Sequence, residues 1–485
     1  MMIKRYTPVA LGLLLALSAG TAVAADKPYA PSNVTTTAQG ELTTTQWQDP
    51  KRCKSCHPVQ FEGWQGSMHS IAFIDPVFQA EWALGEKETN GATRNLCAGC
   101  HTPVGTITQT VSFDPSKGKH GGFETEGMAA TGVSCDTCHT VSAHTMLDTP
   151  MLEHGNASIE LTPGAKRGPL ADSKSPMHKT VYSELHGKSE FCANCHNVFH
   201  PGSNFPIERT YDEWKYSPYA QNGVQCQDCH MVPVEVAIRV ADEMKPVKEL
   251  ENHGLSGKAA RSGKVVRDVV HNHSFVGGNA VIAPLLGVEG GEAHSAEAIK
   301  RLQSAASIST KVENGIGDLR TLHVTVHNNR AGHALPTSLT FIRQLWLEVV
   351  VRDANGNELL RSGTINADNE LPEGTVIFQN KAVNANGEGP QHKPWEVYSF
   401  SEQNTIPPKG SRTANFAFNL PEGMAYSVET RLNYRSFSQG AATLLVGEKV
   451  RVPFVEMATE ITSYNGAGDV VSTTTDVKAG LQPAK

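Results

Sequence analysis

No apolar run in this 485-residue chain is long enough for a permanent bilayer span, which takes about 20 residues. The longest, Val9 to Leu17, follows Lys4 and Arg5 and precedes Ala22-Val23-Ala24. That order is the layout of a secretory signal peptide over residues 1–24, with a mature chain starting at Ala25. A lipid-anchored export signal would need a cysteine just past the apolar run, and the first cysteine is Cys53. A transmembrane anchor is therefore not expected. Excess positive charge is also missing: the net charge is −7, and loss of residues 1–24 removes Lys4 and Arg5 but no acid. Nucleic acid is excluded as a partner on that balance, since phosphate binding needs a basic face. Basic partner proteins are favoured electrostatically.

No cysteine stands alone, and none follows Cys229. The ten fall as Cys53 and Cys56, Cys97 and Cys100, Cys135 and Cys138, Cys192 and Cys195, and Cys226 and Cys229, each pair separated by two residues. A histidine follows every pair at once: His57, His101, His139, His196 and His230. An even cysteine count in an exported chain ordinarily suggests disulfides, but five copies of C-x-x-C-H do not. Positions i, i+3 and i+4 share one face of a helical turn. Two thiols placed so can add to the two vinyl groups of one haem, and the adjacent histidine reaches its iron. Structural zinc closes with four ligands from paired knuckles, which five knuckles cannot provide. Thioredoxin-like motifs need a βαβ setting and do not recur five times. The motifs predict five covalently bound haem c groups.

The motifs lie between Cys53 and His230, 34 to 57 residues apart. That spacing leaves little chain for an ordinary apolar core, so a mainly α and irregular domain packed around five haems is expected over residues 47–304. Residues 25–46 read as a flexible lead-in, and 150–176 as surface loop. The words Phe61-Glu62-Gly63-Trp64 with Ser67 and Tyr211-Asp212-Glu213-Trp214 with Ser217 echo one another. After about residue 305 period-two alternation appears, as in Leu322, Val324 and Val326, with a hairpin turn at Asp353 to Asn357. An all-β immunoglobulin-like sandwich is expected over residues 305–462, followed by a flexible tail over 463–485.

Each iron needs a sixth ligand unless it is open for catalysis. Of the 20 histidines, fifteen are outside the motifs, enough for bis-histidine ligation throughout. His69, His186, His273 and His333 lead as candidates by their positions near motifs or in Gly- and Pro-punctuated loops, followed by His178 and His144. His120, His154, His200, His253, His294 and His392 read as surface or hydrogen-bonded histidines. Met68, Met128, Met177 and Met231 lie near motifs, but histidine supply makes low-potential bis-histidine haems the expectation. Arg94, Lys188 and Arg209 read as propionate partners. No catalytic residue stands out.

The words Trp64-Gln65-Gly66-Ser67-Met68-His69, Ser189-Glu190-Phe191-Cys192-Ala193-Asn194-Cys195-His196 and Cys226-Gln227-Asp228-Cys229-His230-Met231 carry a resemblance. Over residues 50–340 the chain is similar to multihaem cytochromes of the c-554 type, relatives of the nitrite and hydroxylamine oxidoreductase cytochromes. The resemblance implies stacked haem pairs, usually bis-histidine ligated, passing electrons among periplasmic and outer-membrane partners such as other cytochromes or a quinol-linked membrane donor. Nitrite reductase relatives put lysine in place of histidine at the catalytic haem, and hydroxylamine oxidoreductases carry eight haems; here every motif ends in histidine and there are five. Electron transfer is thus expected, in the periplasm or on the outer surface of the outer membrane. The alternative is a multihaem reductase with one open haem acting on a small nitrogen or sulfur oxyanion.

Overall fold

The computed structural model describes residues 28–147, 153–389 and 392–484. The signal-peptide segment and part of the expected loop from residue 150 lie outside them. Among the described residues no helix is long and apolar enough to cross a membrane.

Short helices carry the motifs because the i, i+3, i+4 pattern needs one turn and no more. Helices Arg94–His101, Cys135–His139 and Cys226–His230 each contain a complete motif. Helices Lys51–Lys54 and Ser189–Ala193 end inside theirs, yet the amides of His57 and His196 still donate to the carbonyls of Cys53 and Cys192, at 2.8 and 2.9 Å. Side chains start these turns: Ser134 Oγ accepts from the Thr137 amide, and Asp228 accepts from the Gln225 amide at 2.7 Å. Such caps satisfy backbone donors that a one-turn helix cannot.

Within the expected lead-in, the backbone of residues 33–35 is hydrogen-bonded to residues 156–161. Thr35 donates to the Ile159 carbonyl at 2.8 Å and accepts from the Leu161 amide at 2.9 Å, and Val34 is buried beside Ala157 and Leu161. The apolar side chain of Val34 supplies the burial that its polar neighbours do not.

Helix Gly291–Ala305 runs directly into strand Ala306–Asn314. Three antiparallel strands form one sheet, in the order 306–314, 319–328, 411–419. A six-stranded sheet is built on 358–362, 344–353, 426–435, 454–464 and 470–474, with 481–482 also pairing with 454–464. Period-two alternation turns Leu322, Val324 and Val326 inward from the small sheet, where they share one core with Leu345, Leu347, Val349, Val428 and Leu432 of the large one. The turn after Asp353 closes as its side chain accepts from the amides of Asn355 and Asn357. Part of the expected tail pairs back onto the large sheet. Asn465 Oδ1 accepts from the Ala467 and Asp469 amides, closing a turn that returns Val470–Thr474 onto the 454–464 strand. A further apolar cluster joins the two halves of the chain, with Ile71 and Ile207 packed among Phe341, Ile342, Phe437 and Ala442.

Leu347 is fully buried in the core between the sheets. Leu347→Ala should lower unfolding free energy by about 2–5 kcal/mol, the usual cost of a buried leucine truncation. Denaturant unfolding followed by far-ultraviolet circular dichroism measures it.

Candidate functional site

None of the ten cysteines is disulfide-bonded, and all are half-buried. Each motif histidine lies with Nδ1 against an acceptor. The Nδ1 atoms of His57, His101, His139 and His230 face the carbonyls of Ala259, Ala72, Arg167 and Val276, at 2.8, 2.9, 2.5 and 2.8 Å. His196 differs: its Nδ1 lies 3.6 Å from the Glu208 carboxylate. An acceptor at Nδ1 fixes the proton there and leaves Nε2 free as a ligand.

Four of these rings face a second imidazole. Ring centres are 6.5 Å apart for His57 and His178, and 6.2 Å for His196 and His69, His139 and His273, and His230 and His333. Two metal–nitrogen bonds of about 2 Å, plus roughly 1 Å from each nitrogen to its ring centre, separate two rings on one metal by about 6 Å. The facing rings of His273 and His333 also have Nδ1 against carbonyls, those of His271 and Ala334, at 3.0 and 2.9 Å. The residues present therefore fit haem iron held between imidazoles.

The other candidates are placed differently. His186 is 5.8 Å from His139, but its Nδ1 bonds Ser183 Oγ at 2.8 Å and its Nε2 lies 3.1 Å from the Cys138 carbonyl. His144 stacks on His154 with ring centres 4.7 Å apart. The remaining motif histidine, His101, faces no imidazole at such a separation among the described residues; Phe78 stacks on it at 3.5 Å. The two cysteines of this motif sit in different apolar surroundings. Cys97 packs against Phe73, Trp82 and Phe123, whereas Cys100 packs against the cluster that holds Val104, Ile107 and Ala129. Glu81 also acts on Cys97 electrostatically, and burial pushes its carboxyl up to about 8 with Arg343 opposing.

Burial lowers the imidazoles of His69, His230 and His273 to about 3 and His101 to about 4, so they stay neutral, the form that binds metal. Burial acts on His196 in the same direction, but the Glu208 carboxylate overrides it and holds the ring up at about 9.

The echoing words have a structural counterpart that spacing alone did not reveal. Trp64 Nε1 donates to the Val133 carbonyl and Trp214 Nε1 to the Val224 carbonyl, both at 2.9 Å. Each acceptor is two residues before a motif, in Gly132-Val133-Ser134-Cys135 and Gly223-Val224-Gln225-Cys226. The thiols of Cys53 and Cys135 lie close enough to act on one another electrostatically, as do those of Cys192 and Cys226. Two motif pairs are thus tied by one device, and the Cys97 motif lies in chain order between the members of the first. That motif is not isolated either, because the thiol of Cys100 lies close enough to act electrostatically on Cys195 of the fourth. The sequence pairs Cys100 with Cys97 alone; the fold adds a neighbour 95 residues away that no local spacing discloses. Gly63, one residue before Trp64, is required by close approach: a Cβ there would lie 1.7 Å from the Asn272 carbonyl oxygen, beside His273.

Residues 52–140 match the family model for cytochrome c554 and c-prime. The fold is similar to that of a penta-haem cytochrome c552 from Thermochromatium tepidum, at 16% identity and a TM-score of 0.54. That match covers 86% of this chain and 99% of the other. The first match covers the segment holding the Cys53, Cys97 and Cys135 motifs, and the second is a likeness of fold. No curated protein matches the chain.

A carboxylate at Nδ1 makes an imidazole a more basic ligand and favours the oxidised metal. Glu208→Gln should raise the midpoint potential of one haem by roughly 60 mV or more, a tenfold shift for a one-electron couple. Spectroelectrochemical titration of the holo-protein reads it; an unchanged set of potentials would remove Glu208 from this role.

Proposed function

We propose that this chain is an exported pentahaem c-type cytochrome that relays electrons between redox partners through mostly bis-histidine, low-potential haems. The observation that carries the reading is the imidazole pairing, because four of five motif histidines face a second histidine across one metal's width. Haem iron would supply the one-electron chemistry, which the polypeptide cannot. The five cysteine pairs would hold the macrocycles, with Cys97 and Cys100 carrying the one at His101. The pairs His57/His178, His196/His69, His139/His273 and His230/His333 would close four irons. His186, with both ring nitrogens engaged, and His144, stacked on His154, fall outside this set. Export rests on the residue 1–24 pattern, and it points to periplasmic or outer-membrane partners: other cytochromes or a quinol-linked donor. The β-rich part is read as an immunoglobulin-like sandwich, supported by two antiparallel sheets sharing one core. It brings His333 to the fifth motif.

That no imidazole faces His101 across one metal's width among the described residues favours a second reading, a multihaem reductase whose open haem binds a small nitrogen or sulfur oxyanion. A catalytic haem needs an open position and a nearby acid or base, and Glu81 is the buried carboxyl closest to that motif in effect.

Spectra of the reduced holo-protein with and without carbon monoxide test the pairing. One haem in five should shift and four should not. A shift in several haems would sink the relay, and a shift in none would sink the reductase reading.

A further inference from the structure

Three stretches rich in cations and free of acids occur in this acidic chain. Residues 50–61 carry Lys51, Arg52 and Lys54; residues 173–182 carry Lys174 and Lys179; residues 256–267 carry Lys258, Arg261, Lys264 and Arg267. The fold gathers all three around the first motif. His178 of the second stretch faces His57, with ring centres 6.5 Å apart. From the third, the Arg261 amide donates to the Cys56 carbonyl at 2.7 Å, and the Ala259 carbonyl accepts from His57. Arg267 joins the second and third stretches through Asp172, at 2.8 Å.

All of these cations except Arg267 are exposed. Of the acids that border them, Asp172 pairs with Arg267, buried Asp136 with Lys166, Asp268 with His253, and Asp49 accepts from the Lys51 amide, while exposed Glu62 next to the first stretch stands among the cations. Against these acids and the propionate pair one macrocycle would bring, the nine cations of the three stretches keep the face net positive. Large apolar side chains lie among them in the open, Met177 at 77% and Val266 at 65% exposure, with Tyr182 and Val265 also exposed. Apolar groups ringed by charges of one sign are the anatomy of a steered, transient protein contact. The overall charge favours basic partners, but this face has the opposite sign.

We propose that the face around Cys53 and Cys56 docks an acidic one-electron carrier protein and exchanges electrons with it there. This rests on the electron-transfer reading above. One electron leaves the reduced carrier, which is oxidised by one equivalent, and reduces one ferric haem to ferrous; no bond forms and no proton moves.

Stopped-flow reduction of the oxidised holo-protein tests it, with reduced flavodoxin as the acidic carrier and hexaammineruthenium(II) as a small cationic reductant. For the unmodified protein the flavodoxin rate should fall as salt is added. The triple variant Lys51→Glu, Lys179→Glu, Lys264→Glu should react about tenfold or more slowly with flavodoxin at low salt. It should keep its haem spectrum and should react no more slowly with hexaammineruthenium(II). A neutral version with glutamine at the three positions should fall between. Equal flavodoxin rates and equal salt dependence in all three proteins would overturn the docking face alone. Loss of binding to phosphatidylglycerol vesicles with an unchanged flavodoxin rate would also overturn it, making the face a lipid contact. If neither reductant reduces the unmodified protein, the docking face and the electron-transfer reading fall together.

Discussion

The facing of imidazole rings 6.2 to 6.5 Å apart is the constraint on which the rest of the structure depends. Four of the five motif histidines are anchored at Nδ1 by a carbonyl from another part of the chain: Ala259 for His57, Ala72 for His101, Arg167 for His139, Val276 for His230. Those anchors explain why so little regular structure suffices between residues 50 and 280. A loop that must bring one carbonyl to one ring nitrogen is fixed by that bond, and by the ring facing it, more than by its own propensity. Gly63 shows the tolerance, since no side chain fits between its helix and the loop that carries His273.

The β-rich part takes part in the same constraint. His333 lies in a loop held by Glu213, whose carboxylate accepts from the Ala334 amide at 3.1 Å and from Thr337 Oγ1 at 2.5 Å. Glu213 belongs to the same helix as Trp214, whose indole fixes the approach to the fifth motif. Arg301, on the helix leading into the sheets, donates to the carbonyls of Cys229 and Val232 at 2.7 and 2.6 Å. The sheets therefore brace one end of the motif-bearing region as well as burying their own apolar faces.

Much of this was legible from residues alone, and the limits have physical causes. The C-x-x-C-H spacing is local chemistry and reads directly, as does the alternation that makes the strands after residue 305. The pairing partners are long-range and do not: His178 and His273 are 121 and 134 residues from their motif histidines, and nothing in their neighbourhoods distinguishes them from His186. What separates them in space is which ring nitrogen is already engaged. Contacts between motifs, such as Cys100 against Cys195, are long-range in the same way. The lead-in and the tail read as loose because their polar composition hides backbone pairing, as at Thr35 and Val470. The basic face was hidden for another reason. Its charges come from three stretches whose sum disappears in a net charge of −7.

The pairing is tested most directly by an iron anomalous difference map from crystals of the mature protein. The account predicts five iron peaks. Four should lie between the rings of His57 and His178, His196 and His69, His139 and His273, and His230 and His333, and the fifth should lie at His101 with no second imidazole. An iron at His101 bridged to another histidine, or a named pair with no iron between its rings, would contradict it.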